Sequence, residues 1–327
     1  MKKKIGIPRT LSYYTFFPLW KTFFEELGFR VVVSRETNKE VLDQGVKETV
    51  NDACIPIKLF HGHVMDLKDR VDYLFIPRLV SADGRSTFCP KFLGLPDMVR
   101  FSRPDLPPII DVRYNIRRGC PSLFSFFCKI GIRVSNNWFK ICKGYIKAKA
   151  AFKRYLKLLN SGLQPEEALS VMEGKQMEQQ NSSGPLKIAV LGYPYIVYDP
   201  YISANLLEHL RRMGVQPLTM ERIPLKKLRS MAKRLPQNLF WFYSNLVCWA
   251  ALYYLEEVRD VDGIIHVTAF ACGPDAMVDK LIELEAKNHN RMPFLSISID
   301  EHSGEVGVIT RLEAFVDMLR RKKEVQT

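Results

Sequence analysis

Lys187-Ile188-Ala189-Val190-Leu191-Gly192-Tyr193-Pro194 restates, in the second half of the chain, the pattern of Lys4-Ile5-Gly6-Ile7-Pro8 at its start: strand, small residue, proline. After the first copy, Phe16, Trp20, Phe23, Phe24 and Leu27 recur at helical spacing, and Gly28 stands where helices commonly stop. A β-branched strand over 29–33, a helix over 37–50, a helix from Pro56 to about residue 67 and a strand over 73–76 follow. The second copy leads into a helix over 202–213, a strand at 215–219, an apolar helix within 239–255 and a strand over 263–267. A helix over 276–287, a strand over 293–299 and a helix over 311–320 complete it. Strand and helix in alternation are the signature of a parallel sheet covered by helices.

The fold expected is therefore α/β: two similar Rossmann-like parallel-sheet domains with a basic helical insert between them. The boundaries fall at 1–114, 115–184 and 185–327, with Cys54 and Cys89 in the first domain and Cys272 in the last. The strand carboxyl ends of each domain are expected to face the other. At 327 residues, 47% hydrophobic, the chain can build two cores.

The middle is distinct. Between Val112 and Pro165 there is no Asp or Glu, while Arg113, Arg117, Arg118, Lys129, Arg133, Lys140, Lys143, Lys147, Lys149, Lys153, Arg154 and Lys157 supply nearly all of the net charge of +13. Such a field attracts an anionic partner, unless it is simply a solvated helix face. An acidic protein, a phosphate-rich cofactor such as coenzyme A and nucleic acid are the candidates. Nucleic acid ranks last, since no nucleic-acid motif accompanies the charge. The uncharged run 239–255 is shorter than the roughly 20 residues a spanning helix needs, and Ser244 and Asn245 interrupt it, so no membrane role is expected. The seven cysteines and the absence of a secretory leader fit reduced thiols in the cytoplasm.

Three cysteines share one setting. Cys54 (Asp52-Ala53-Cys54-Ile55-Pro56), Cys89 (Thr87-Phe88-Cys89-Pro90-Lys91) and Cys272 (Phe270-Ala271-Cys272-Gly273-Pro274) each sit on or beside a proline, and each reads as following a strand-like run. Strand ends are where open α/β sheets hold ligands. Three thiols there could hold an iron–sulfur cluster by three corners, or each could be a small packed hydrophobe. Their spacing matches neither a compact ferredoxin nor a zinc knuckle. Cys120, before Pro121, is a candidate fourth ligand, while Cys128, Cys142 and Cys248 read as packing residues. Lys58 and His61 share a face of the helix after Cys54 and could tune a cofactor's charge, or lie on an ordinary surface. Asp300-Glu301-His302-Ser303-Gly304-Glu305 reads as a site wall, a metal site or a helix cap. No phosphate-binding loop, dinucleotide fingerprint or nucleophile elbow is present, so no autonomous ATPase is expected and no catalytic residue is assigned.

The segments Ile7-Pro8-Arg9-Thr10-Leu11, Asp52 to Lys58 with His61-Gly62-His63, Phe88-Cys89-Pro90, Phe270 to Asp275, Asp300 to Glu305 and Thr310 to Phe315 together resemble the acyl-CoA dehydratase activase-related family. That family is distantly similar to the iron–sulfur subunits of 2-hydroxyacyl-CoA dehydratases. The resemblance implies two α/β domains and a 4Fe–4S or double-cubane cluster held by Cys54, Cys89 and Cys272. It further implies low-potential electron transfer to a small or CoA-linked substrate in anaerobic metabolism. The activator's ATP-binding motifs are absent here, so a separate ATP-dependent activase, or a dehydratase subunit, is the implied partner. A homodimer stays open. So does the rival reading, a non-catalytic accessory or CoA- or nucleotide-binding module without a cluster.

Overall fold

The computed structural model describes residues 2–116, 123–175, 184–235, 237–289 and 292–326. Two compact units emerge, one formed by 1–157 with 240–242, the other by 158–239 with 243–327.

The first unit runs β1 (Lys4–Ile7), α1 (Tyr13–Glu26), β2 (Arg30–Val33), α2 (Lys39–Lys47), α3 (Ile55–Leu67), β3 (Tyr73–Phe75), β4 (Arg78–Ser81), α4 (Pro90–Ser102), β5 (Ile109–Ile110), β6 (Arg113–Asn115), α5 (Leu123–Val134) and α6 (Trp138–Asn160), whose last turn passes into the second unit. Its four-stranded sheet has the order β2-β1-β3-β5, all parallel, and β4 pairs in parallel with β6 in a separate ribbon. The core is aromatic: Phe75 takes the edges of Trp20 and Phe24 at 5.2 and 5.0 Å between ring centroids.

α6 docks on α1 for a reason written into α1. Pro18 lies inside that helix and has no N–H to offer the Tyr14 carbonyl four residues back. The buried Tyr155 hydroxyl of α6 donates to that carbonyl at 2.7 Å. Phe152 meets Phe16, and Lys147 pairs with Glu26 at 2.5 Å. The remaining lysines of α6, at 140, 143, 149, 153 and 157, face solvent.

The second unit runs α7 (Pro165–Met172), β7 (Leu186–Gly192), α8 (Pro194–Val197), α9 (Leu206–Arg212), β8 (Val215–Thr219), α10 (Leu225–Ser230), α11 (Phe242–Glu256), β9 (Gly263–Ala269), α12 (Gly273–Asn288), β10 (Phe294–Ile299) and α13 (Glu305–Gln326). Its sheet is also four-stranded and parallel, ordered β8-β7-β9-β10. Counted along the chain, both sheets therefore have the order second-first-third-fourth.

The helix expected over 202–213 is shorter. The Asp199 carboxylate accepts from the backbone N–H groups of Tyr201 and Ile202, and Ala204 and Asn205 adopt left-handed φ of 51° and 52°, so α9 begins only at Leu206. An aspartate that captures nearby N–H groups competes with a helix start. No described helix is long and apolar enough to cross a membrane.

Candidate functional site

Cys54 is the N-cap of α3, Cys89 the N-cap of α4 and Cys272 the N-cap of α12, and each of these helices carries proline in its first turn. Proline suits that position because its missing N–H would have no intrahelical partner there. Each sulfur thus lies at the end of a helix where unpaired N–H groups and the helix dipole favour negative charge. The two cysteines that follow a third strand are topological equivalents. Cys89 lies after β3 and β4 and before α4, and Cys272 lies after β9 and before α12; each helix leads to the fourth strand of its sheet. Cys54 differs from the reading above. It follows α2 and a short loop rather than a strand, because a proline cue marks a helix start whatever precedes it.

Within the first unit, Cys54 and Cys89 are neighbours. The Lys91 ammonium, in the first turn of α4, donates to Cys54 Sγ at 3.7 Å. Burial pushes the Cys89 thiol up; the adjacent Lys91 backbone N–H pulls it back, Cys54 raises it again and the Lys91 charge lowers it. Cys54 is buried and Cys89 half-buried. α4 is held by charge: Arg78 of β4 pairs with Asp97 and, at 3.0 Å, with Asp111, which also takes Arg100 at 3.1 Å and Arg133 at 2.9 Å. Against its burial, the three guanidiniums keep the Asp111 carboxyl down at about 2.

Lys58 and His61 are both buried, 3% and 4% exposed, so neither lies on an open helix surface. α3 crosses α2 at backbone contact: a Cβ on Gly45 would fall 1.8 Å from the Lys58 carbonyl oxygen, and one on Gly62 would fall 1.9 Å from that of Val41. His61 Nδ1 shares a hydrogen with Ser102 Oγ at 3.3 Å, and His63 Nε2 with Thr37 Oγ1 at 3.0 Å. Burial lowers His61 to about 4 and His63 to about 3.

In the second unit, β9 ends in a tight turn: the Cys272 N–H donates to the Ala269 carbonyl at 3.1 Å, and Ala271 holds a left-handed φ of 61°. Cys272 is half-buried and Phe270 is exposed. Sequence reading missed what lies beneath. His266 of β9 is fully buried, with Nδ1 2.7 Å from Asp279 Oδ1 and Nε2 3.5 Å from Asp275 Oδ1, both aspartates on α12. The available signal was a histidine in an apolar strand followed by aspartates four apart on one helix face.

Asp300 to Glu305 forms a turn ahead of α13. Asp300 Oδ1 accepts from the His302 N–H and the Ser303 hydroxyl. Cys128 and Cys248 are buried, and burial, with Asp275 and Glu285 nearby, pushes Cys248 to about 12. Cys120 lies outside the described residues. Among the described residues no three His, Cys, Asp or Glu side chains are gathered as a metal-ion cage, and the six described cysteines are free thiols.

Two family models match the chain. The model of the CoA enzyme activase uncharacterised domain covers residues 4–223, including Cys54 and Cys89. The model of the 2-hydroxyglutaryl-CoA dehydratase D-component covers residues 149–319, including Cys272 and the Asp300 turn. No curated protein matches the chain.

Proposed function

The chain belongs to the CoA enzyme activase uncharacterised-domain family and, over its second half, to that of the 2-hydroxyglutaryl-CoA dehydratase D-component, and on that footing we propose that it is an iron–sulfur electron carrier of the 2-hydroxyacyl-CoA dehydratase system. The observation that carries the reading is the common setting of Cys54, Cys89 and Cys272, each the N-cap of a proline-started helix. Soft thiolates are the donor set for such clusters. Helix N-termini stabilise the negative charge that a thiolate-bound cluster carries. Cys54, Cys89 and Cys272 are the proposed ligands, with Lys58 and His61 as charge-tuning neighbours. Cluster nuclearity, 4Fe–4S or double cubane, is left to the iron count.

When bound, the cluster supplies one-electron chemistry at low potential. This chain's own part is to exclude water around Cys54 and Cys89, to place Lys91 on Cys54, and to present Cys272 at the start of α12. A separate ATP-dependent activase or a dehydratase subunit is the proposed electron donor or acceptor, with the substrate small or CoA-linked. We take the two sheets as Rossmann-like domains over 1–114 and 185–327, with 115–184 as the basic insert, and the reducing cytoplasm as the setting.

The test is iron and acid-labile sulfide on the full chain purified without oxygen. About four irons per chain are expected for one cubane and about eight for a double cubane. Cys272→Ser is expected to stay folded and lose the iron. Full iron in that variant would sink the assignment of Cys272.

A second reading, an accessory or CoA- or nucleotide-binding module without a cluster, draws on the solvent-facing lysines of α6. It expects no iron after reconstitution and saturable CoA binding that weakens with salt.

A further inference from the structure

His266 occupies a place where a charged side chain is costly. β9 is buried at all of its positions and lies between β10 and β7 in the sheet. A polar ring there must be compensated by fixed partners. Both partners come from α12. Asp279 Oδ1 takes Nδ1 at 2.7 Å, and Asp275 Oδ1 faces Nε2 at 3.5 Å, too long for a hydrogen bond and close enough for an ion pair. Asp275 is fully buried, and neither of its oxygens accepts a hydrogen bond among the described residues. The groups set around this buried carboxyl are therefore the His266 ring and the N-terminal N–H groups of its own helix. Burial alone would lower His266; the two carboxylates outweigh it and hold the ring up at about 9.

Asp275 stands three residues after Cys272, in the first turn of α12, where it is the first fully buried side chain. The turn before it is strained. Ala271 is a residue with a Cβ in left-handed backbone, and such a conformation persists only where its surroundings over-determine it. Phe270, Ala271 and Gly273 are exposed, so packing on their side does not supply the restraint.

We propose that the buried His266–Asp275 ion pair seats the first turn of α12 on β9 and thereby fixes where Cys272 is presented, so that both are positioning residues for that thiol. The inference takes from the proposed function only that Cys272 is a working thiol. Its test runs on the iron-free chain, so its failure and the failure of the cluster reading are separate results.

The experiment is peptide-resolved alkylation of the reduced, iron-free full chain by iodoacetamide, with Cys54 and Cys89 as internal references. His266→Gln leaves the buried Asp275 facing no cation, and Asp275→Asn leaves His266 held by Asp279 alone. Each is expected to free the strained turn and speed Cys272 severalfold relative to Cys54 and Cys89. The double variant removes the buried cation together with the fully buried carboxylate, leaves only the partly exposed Asp279, and is expected to return the Cys272 rate toward that of the unsubstituted chain, a rescue that a merely structural loss would not give. Unchanged Cys272 rates in both single variants, or all three cysteines accelerating together, would overturn the proposal. Should a single variant fail to fold, hydrogen exchange on the unsubstituted chain decides. The amide of Ala276, which donates to the Cys272 carbonyl at 3.0 Å, must be protected along with β9, and its exchange well ahead of β9 would overturn it.

Discussion

The Lys91 ammonium lies 3.7 Å from the sulfur of Cys54, so a side chain in the first turn of α4 reaches the N-cap of α3. Two helix starts far apart in sequence are joined by one cation, which faces both thiols of the first unit. Lys91→Met keeps the stem and removes the charge. Burial then acts on Cys89 with less opposition, and its thiol is held higher. Alkylation of Cys89 at mildly alkaline pH should slow slightly in this variant, since the Lys91 backbone N–H that lowers it more remains, while Cys272 is unaffected. Equal rates for Cys89 with and without the ammonium would show that Lys91 does not govern it.

Gly62→Ala should destabilise the first unit, because the new Cβ would meet the rigid backbone oxygen of Val41 at 1.9 Å and α2 and α3 must part. Overpacking of this kind costs roughly 1–3 kcal/mol. Gly45→Ala meets the Lys58 carbonyl at 1.8 Å and should behave alike. Gly94 in α4 has open space around its Cβ position, so Gly94→Ala should gain up to about 1 kcal/mol of helix propensity. Denaturant midpoints for the three variants check the contrast.

The longer buried strands were legible because they read as continuous apolar runs, as in Leu186–Gly192 and Gly263–Ala269, whereas β4, β5 and β6, two to four residues each, carry no such run and went unread. The proline after Cys54 announced a helix start; the helix after Cys89 went unread and the one after Cys272 was expected only from 276, yet all three cysteines became N-caps. What stayed hidden depends on partners distant in sequence. Nothing near Lys91 indicates that it will reach Cys54, 37 residues away. Nothing near Tyr14 indicates that the carbonyl released by Pro18 will be met by Tyr155. His266 was hidden differently: the apolar run around it marked the strand, and its aspartates belong to the next element.

Acid should weaken the first unit through His61 and His63. Burial holds their folded values at about 4 and about 3, below the ordinary 6.5 of the unfolded chain. Between those values the unfolded state binds more protons, so stability present above about pH 6.5 is lost as the pH falls. For His61 alone the loss reaches about 3 kcal/mol at pH 4. Urea midpoints measured from pH 7 to pH 4 should fall more steeply for the unsubstituted chain than for a His61→Asn, His63→Gln double variant. Parallel curves would show that these histidines do not carry the acid sensitivity.

Alkali should act on the second unit with the opposite sign. His266 is held at about 9, above its unfolded value of 6.5, because Asp275 and Asp279 of α12 outweigh its burial. Cys248 of α11 lies close enough to Asp275 for its thiol to be raised, Ser296 of β10 hydrogen-bonds Asp279, and the Glu283 carboxylate one turn along α12 acts on Asp279 in the opposite sense, so these groups also face the cluster. A raised histidine contributes stability that is fully present below about pH 6.5 and is lost as the pH climbs through 9. The size of that contribution is about 3 kcal/mol. The melting temperature of the unsubstituted chain should therefore exceed that of His266→Gln most clearly near pH 6, and the gap should narrow by pH 10. A gap that stays constant across this range would mean that the imidazole is neutral throughout and that its hydrogen bond to Asp279, rather than its charge, holds β9 to α12.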